Sequence, residues 1–155
     1  MNPASPTAHV TKVILFLRAA QAVLAAGLPE RATSDAYYAT YHAAMALLAT
    51  AAVAPETHSG MRQMLALHFV RNGPLPPETS QDLNHLMGDR LLADYGVSQE
   101  ITAAGARRAI RIATRLLRSM LPLVSEREPE AAQAVAEAQG EVSRLDALVG
   151  EGTPS

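Results

Sequence analysis

Apolar residues recur every three to four positions along almost the whole chain, and runs of β-branched residues are missing. That period marks amphipathic helices rather than strands. Val10, Val13, Ile14, Leu17 and Leu24 form the first stripe, which predicts a helix over about 8–26, ended by Gly27 and Pro29. The second stripe is Ser34, Tyr37, Tyr38, Tyr41, Met45 and Leu48, with His42 on its flank, giving a helix over about 33–53 before Pro55. A third helix is expected over about 59–71, stopped by Asn72-Gly73-Pro74. A proline-rich loop then leads to a fourth helix, about 79–94, with Gly96 available for a left-handed cap. The fifth is expected over about 99–124, with Ser98 as its N-cap. The last, about 126–149, has only a thin seam of Val135, Ala138, Val142, Leu145 and Val149. The chain thus reads as all-α: a helical bundle over 1–125, a C-terminal acidic helix over 126–149 and a disordered tail over 150–155.

Composition narrows the chemistry. Cysteine is absent, which removes thiolate metal sites and thiol nucleophiles and fits a cytoplasmic protein. No signal peptide is visible in residues 1–11, and Arg18 and Gln21 interrupt the best apolar run, so a soluble protein that does not engage membranes is expected. The net charge of -2 hides an asymmetry: residues 126–151 carry seven acidic residues against two arginines, leaving the rest of the chain basic. Twelve of the thirteen basic residues are arginine, which suits phosphate contacts, yet the overall balance is not that of a nucleic-acid binder. There is no HExxH, no Glu-x-x-His pair and no glycine-rich phosphate loop, so neither a metal nor a cofactor is expected.

Two segments place polar side chains on faces that should be buried. Three of the four tyrosines, Tyr37, Tyr38 and Tyr41, fall within five residues and are followed by His42. The fourth, Tyr95, closes the segment Arg90-Leu-Leu-Ala-Asp94-Tyr95. On a helical wheel Arg90 lies among Leu83, Leu86 and Met87, where an unpaired guanidinium costs several kcal/mol. Either a partner meets it there, or that face lines a polar cleft or a subunit interface. Asp94, one turn on, is within salt-bridge reach. His58 precedes the third helix and can support the loop or an anion site. Arg107, Arg108, Arg111, Arg115 and Arg118 form a stripe that either tracks phosphates, faces solvent, or is neutralised by the acidic tail helix.

Taken together, these segments resemble the HEPN family (higher eukaryote and prokaryote nucleotide-binding). The similarity lies in Ser34-x-Ala36-Tyr37-Tyr38-Ala39-x-x-His42, then Thr57-His58-Ser59-Gly60, then Phe69-Val70-x-x-Gly73, then Arg90-x-x-Ala93-Asp94-Tyr95, and it spans about 8–122. It implies an antiparallel bundle of about five helices that forms homodimers, with the neighbouring protomer completing the surroundings of Arg90. It also implies an RNA- or nucleotide-binding, toxin-like protein of a toxin–antitoxin or defence module, paired with a nucleotidyltransferase. In ribonuclease members an arginine and a nearby histidine cleave RNA without metal. Here no histidine follows His85, and Tyr95 occupies the slot; with a pKa near 10, tyrosine shuttles protons poorly at neutral pH. Two readings stand. In one, Arg90, Asp94 and Tyr95 act with Tyr38, His42 and His58 as a binding or cleaving site, and Tyr95 accepts AMP from the transferase. In the other, the same residues form a structural network in a catalytically inactive interaction subunit.

Overall fold

Helices form where the spacing places them, but capping groups reset their ends. In the computed structural model, which describes residues 4–97 and 100–150, six α-helices run α1 Pro6–Ala25, α2 Pro29–Ala49, α3 His58–Leu65, α4 Thr79–Tyr95, α5 Ala103–Arg127 and α6 Ala132–Gly150. No strand occurs among the described residues. The Ser5 side chain accepts from the Ala8 N–H at 3.1 Å and starts α1 two residues before the expected point. Pro29, at the first position of α2, lacks the N–H that would go unsatisfied there, and it brings the start forward from Thr33. The other end of α2 is earlier than expected: the chain leaves the helix after Ala49, and Ala52 takes a φ of 59°.

The expected third helix is two pieces. Thr57 caps Gly60 N–H at 2.8 Å to begin α3, which passes into a wider π-helical turn over Ala66–Val70. The chain then folds back so that Leu75 N–H reaches Phe69 O at 2.9 Å. A Cβ at position 73 would lie 2.5 Å from the Phe69 carbonyl group, which explains the glycine there. Gly96 is not left-handed but extended, with φ -72° and ψ 128°. The left-handed glycine is Gly27, at φ +79°. α5 begins at Ala103, because Thr102 rather than Ser98 is its N-cap. Ser98 and Gln99, where the sequence places the cap and start, lie outside the described residues, as do 151–155 of the expected disordered tail.

The fold is an all-α antiparallel bundle with α2 at its centre. α2 packs against α1, α5, α4 and α3, and fourteen of its residues are buried. α6 lies across α1 and α5, and its seam of Val135, Ala138, Val142, Leu145 and Val149 joins the same core. The tail helix does not neutralise the α5 arginine stripe as a whole. Arg118 pairs with Asp146, but Glu137 and Glu141 turn instead to Arg18 on α1, at 2.9 and 2.7 Å. Arg115 is held by Asp82 of α4 through two bonds of 3.0 and 3.1 Å. Contrary to the sequence reading, α1 is long and apolar enough by composition to cross a membrane. Its Val10–Val13–Leu17 face is nonetheless buried in the bundle, and Arg18 is tied to α6.

Candidate functional site

The central helix brings its aromatic residues to one place. Tyr37 is fully buried, while Tyr38, Tyr41 and His42 are half-buried beside it. α4 crosses this face and delivers Arg90, whose side chain is 11% exposed. The guanidinium sits over two rings, 5.4 Å from the Tyr37 centroid and 5.3 Å from that of Tyr38. Its Nη2 donates to the Tyr38 hydroxyl at 2.7 Å. Asp94 Oδ2 lies 3.2 Å from Nε but out of line for a hydrogen bond, so that contact is charge pairing. Its own protomer already supplies Arg90 with a hydroxyl, a carboxylate and two rings. The tyrosine hydroxyl and the carboxylate offset the desolvation that makes a buried guanidinium costly.

On the other side of Tyr37 stands His58, the first residue of α3. Its Nδ1 is 2.5 Å from the Tyr37 hydroxyl, and its ring stacks on Tyr41 with centroids 4.5 Å apart. Burial, followed by the charges of Arg90 and Arg62, lowers the His58 pKa. Burial raises that of Tyr37 despite the same two arginines, so this phenol keeps its proton and donates to a neutral imidazole. The structure thus gathers Arg90, Tyr38, Asp94 and His58 around one ring. Arg62, which the sequence did not single out, joins them: its Nη1 donates to Asn84 at 2.6 Å, and its Nε has no hydrogen-bond partner. Spacing from His58 was a usable signal, because 58 and 62 share one helix face.

His42 is held apart from Arg90 by Phe16. Its Nδ1 is 3.1 Å from His9 Nδ1, and its ring stacks on Phe16 at 5.7 Å, while Phe16 stacks in turn on Tyr38 at 5.4 Å. Burial, then the charges of His9, Lys12 and His58, bring the His42 pKa down to about 4. A neutral imidazole so placed serves packing. Tyr95 is 71% exposed at the end of α4 and makes no ring or hydrogen-bond contact with Arg90.

Beside this network opens a cleft of about 650 Å³ between the α1–α2 turn, α2, the end of α4 and the residues before α5. Phe16 and Tyr38 form one wall. Glu30, Asp35, Asp94 and Glu100 supply four carboxylates, against a single lining guanidinium, Arg31. Burial and the charge of Asp94 raise the Asp35 pKa, with Arg31 opposing. Among the described residues, no group of three or more His, Asp or Glu could hold a metal ion. The cleft can therefore bind through charge and aromatic contact, and among the described residues the group beside Arg90 that could accept a proton is the Asp94 carboxylate rather than a histidine.

The geometry agrees with the comparisons. A family model described as HEPN domain matches residues 9–124. "UPF0332 protein PH1297" of Pyrococcus horikoshii is 33% identical over 85 residues, which cover 55% of this chain and 60% of the relative. "Putative toxin MJ0142" of Methanocaldococcus jannaschii is 34% identical over 70 residues, 45% of this chain and 48% of the relative. A second protein of that organism with the same kind of name, MJ0605, is 34% identical over 79 residues, 51% of this chain and 59% of the relative. The chain spans about half the length of the curated relatives it matches.

Proposed function

The chain belongs to the HEPN domain family, and from that premise we propose that it is the toxin-like member of a two-component module, acting by engaging a nucleotidyltransferase rather than by cutting RNA through Arg90. The observation that carries this reading is the state of Arg90. Its guanidinium is engaged within the protomer: Nη2 donates to the Tyr38 hydroxyl at 2.7 Å, Asp94 balances its charge and two tyrosine rings flank it. Tyr95, in the slot of the family's histidine, makes no hydrogen bond to this network, lines the adjoining cleft and is 71% exposed. An exposed phenol is a suitable acceptor for AMP and an unsuitable proton shuttle. Two relatives carry the word toxin in their names, which supports the toxin-like reading. Homodimerisation belongs to the same proposal, and sedimentation at several concentrations tests it.

A second reading, RNA binding, rests on a different observation. Arg90 lies over the half-buried ring of Tyr38, the charge of Arg62 reaches His58, which stacks on half-buried Tyr41, and among the described residues Asp94 is the carboxylate paired with Arg90. Two cations beside partly open rings suit a phosphate with a stacked base.

The deciding experiment co-expresses the chain with a minimal nucleotidyltransferase of the kind the proposal calls for. Expected are co-purification and an AMP adduct on Tyr95 by mass spectrometry. The isolated chain is expected to leave RNA intact whether Arg90 is present or replaced by alanine. RNA cleavage that disappears in a folded Arg90→Ala variant overturns the proposal.

A further inference from the structure

We infer that the cleft beside Tyr38 is a docking site for a basic, aliphatic segment of a protein partner, one that places an arginine or lysine side chain among its carboxylates. This rests on the interaction-subunit reading above and names the chemistry by which the partner is held.

Charge is the first ground. Glu30, Asp35, Asp94 and Glu100 all line the cleft, Asp35 being the buried one of the four, and Arg31 is the one guanidinium among the described lining residues. Even with Arg90 behind Tyr38 counted in, the carboxylates outnumber the guanidiniums. A phosphate chain entering here meets repulsion, while a cation is drawn in. Asp35 is the second ground. It is 4% exposed, lines the cleft and accepts no hydrogen bond among the described residues. Its ion-pair partner, Arg31, stands at 3.6 Å, and Asp94 repels it, which with burial raises its pKa. Held by that one long ion pair, its carboxylate can still receive a further cation from the cleft it lines. The third ground is apolar. Phe16 and Tyr38, stacked on each other, contribute to the lining and give aromatic surface along which the stem of a long basic side chain can lie. Leu28 and Tyr95 form part of the lining and remain 50% and 71% exposed. Such a mixture suits alternating basic and aliphatic side chains. The volume of about 650 Å³ accommodates one or two of them.

The test uses the full-length chain and a fluorescein-labelled peptide of alternating arginine and leucine. A peptide with glutamate in place of arginine and a single-stranded uridine oligomer serve as controls. Anisotropy at about 50 mM salt is expected to show binding of the basic peptide alone. Glu30→Lys combined with Glu100→Lys is expected to weaken it roughly tenfold or more. The same charge change at exposed Glu56 and Glu126 should leave it within about twofold, because neither lines the cleft. Amide shifts on titration should centre on Phe16, Asp35 and Ile101.

Equal losses in both charge-reversal variants overturn the assignment, because attraction would then be diffuse. So does preferential binding of the RNA. A self-association that disappears with Glu30→Lys and Glu100→Lys while peptide binding is absent also overturns it, making a second copy the occupant. Peptide binding that fails while the transferase still co-purifies and modifies Tyr95 removes the cleft assignment alone. Loss of both removes the subunit reading as well.

Discussion

Replacing Tyr38 by phenylalanine removes one oxygen and leaves the ring under the Arg90 guanidinium. The oxygen accepts at 2.7 Å from a side chain that is 11% exposed. A hydrogen bond to a charged group contributes roughly 1.5–3 kcal/mol. Asp94 still pairs with Nε in the variant and the Tyr38 edge faces the cleft, so the loss falls at the low end, about 1.5 kcal/mol. Arg90→Met removes the hydrogen bond, the ion pair and both ring contacts. Breaking a buried pair costs roughly 3–5 kcal/mol, and because the Asp94 side chain is 20% exposed and can be hydrated, about 3 is expected. The double variant should then cost little more than Arg90→Met alone, a coupling of about 1.5 kcal/mol. Urea unfolding followed by far-ultraviolet circular dichroism measures all four proteins. Repeating it at two protein concentrations separates subunit association from folding. Additive losses, with coupling below about 0.5 kcal/mol, would refute the claim that Tyr38 satisfies Arg90 within one protomer.

Acid is expected to weaken the fold through His42. Its pKa of about 4, held below the ordinary 6.5 first by burial and then by His9, Lys12 and His58, means the unfolded chain takes up a proton that the folded one refuses. Stability should therefore fall as pH drops through that window and level off below it. The ring is only half-buried, so solvent screening cuts the effect to roughly 1–2 kcal/mol. A His42→Asn variant whose stability falls just as steeply over that window would contradict this origin. Gly73→Ala is expected to cost about 2 kcal/mol or more, because its Cβ would meet the Phe69 carbonyl at 2.5 Å; an unchanged urea midpoint would disprove it. Glu141, 4% exposed and gripped by Arg18 at 2.7 Å and Arg144 at 2.6 Å, anchors α6. Glu141→Gln should cost about 1 kcal/mol, since both arginines can turn to water. Faster amide exchange confined to α6 is the expected signature, and exchange that rises equally in α2 would argue against it.

The parts legible in the sequence were those carried by period and adjacency. The stripes of α1, α2 and α6 are visible because each repeats on its own helix, and the Arg90–Asp94 pair because its members are one turn apart. Helix ends were less readable, since Pro29 and Thr102 compete with neighbours of similar propensity and only packing chooses between them. Contacts between distant helices were invisible. Tyr38 lies 52 residues from the arginine it serves, and His58 lies 21 from Tyr37. The four carboxylates of the cleft come from two stretches, 30–35 and 94–100, which no sequence period connects.

That difference bears on what Arg90 does. Read on its helix, it is a cation in an apolar stripe, and a missing partner must be supplied from somewhere. Packed against α2, it has partners already: the Tyr38 hydroxyl accepts a hydrogen bond from it, Asp94 balances its charge, and two rings flank it. With its side chain 11% exposed and its charge already balanced, it offers a phosphate less than a free guanidinium would, and the carboxylates of the cleft beside it repel one. The same bonds that hold α4 on α2 also fix where Tyr95 emerges, at the lip of a negatively charged opening. The arginine motif here holds α4 on α2 and so sets where that surface lies, which is the surface the proposed basic partner would meet.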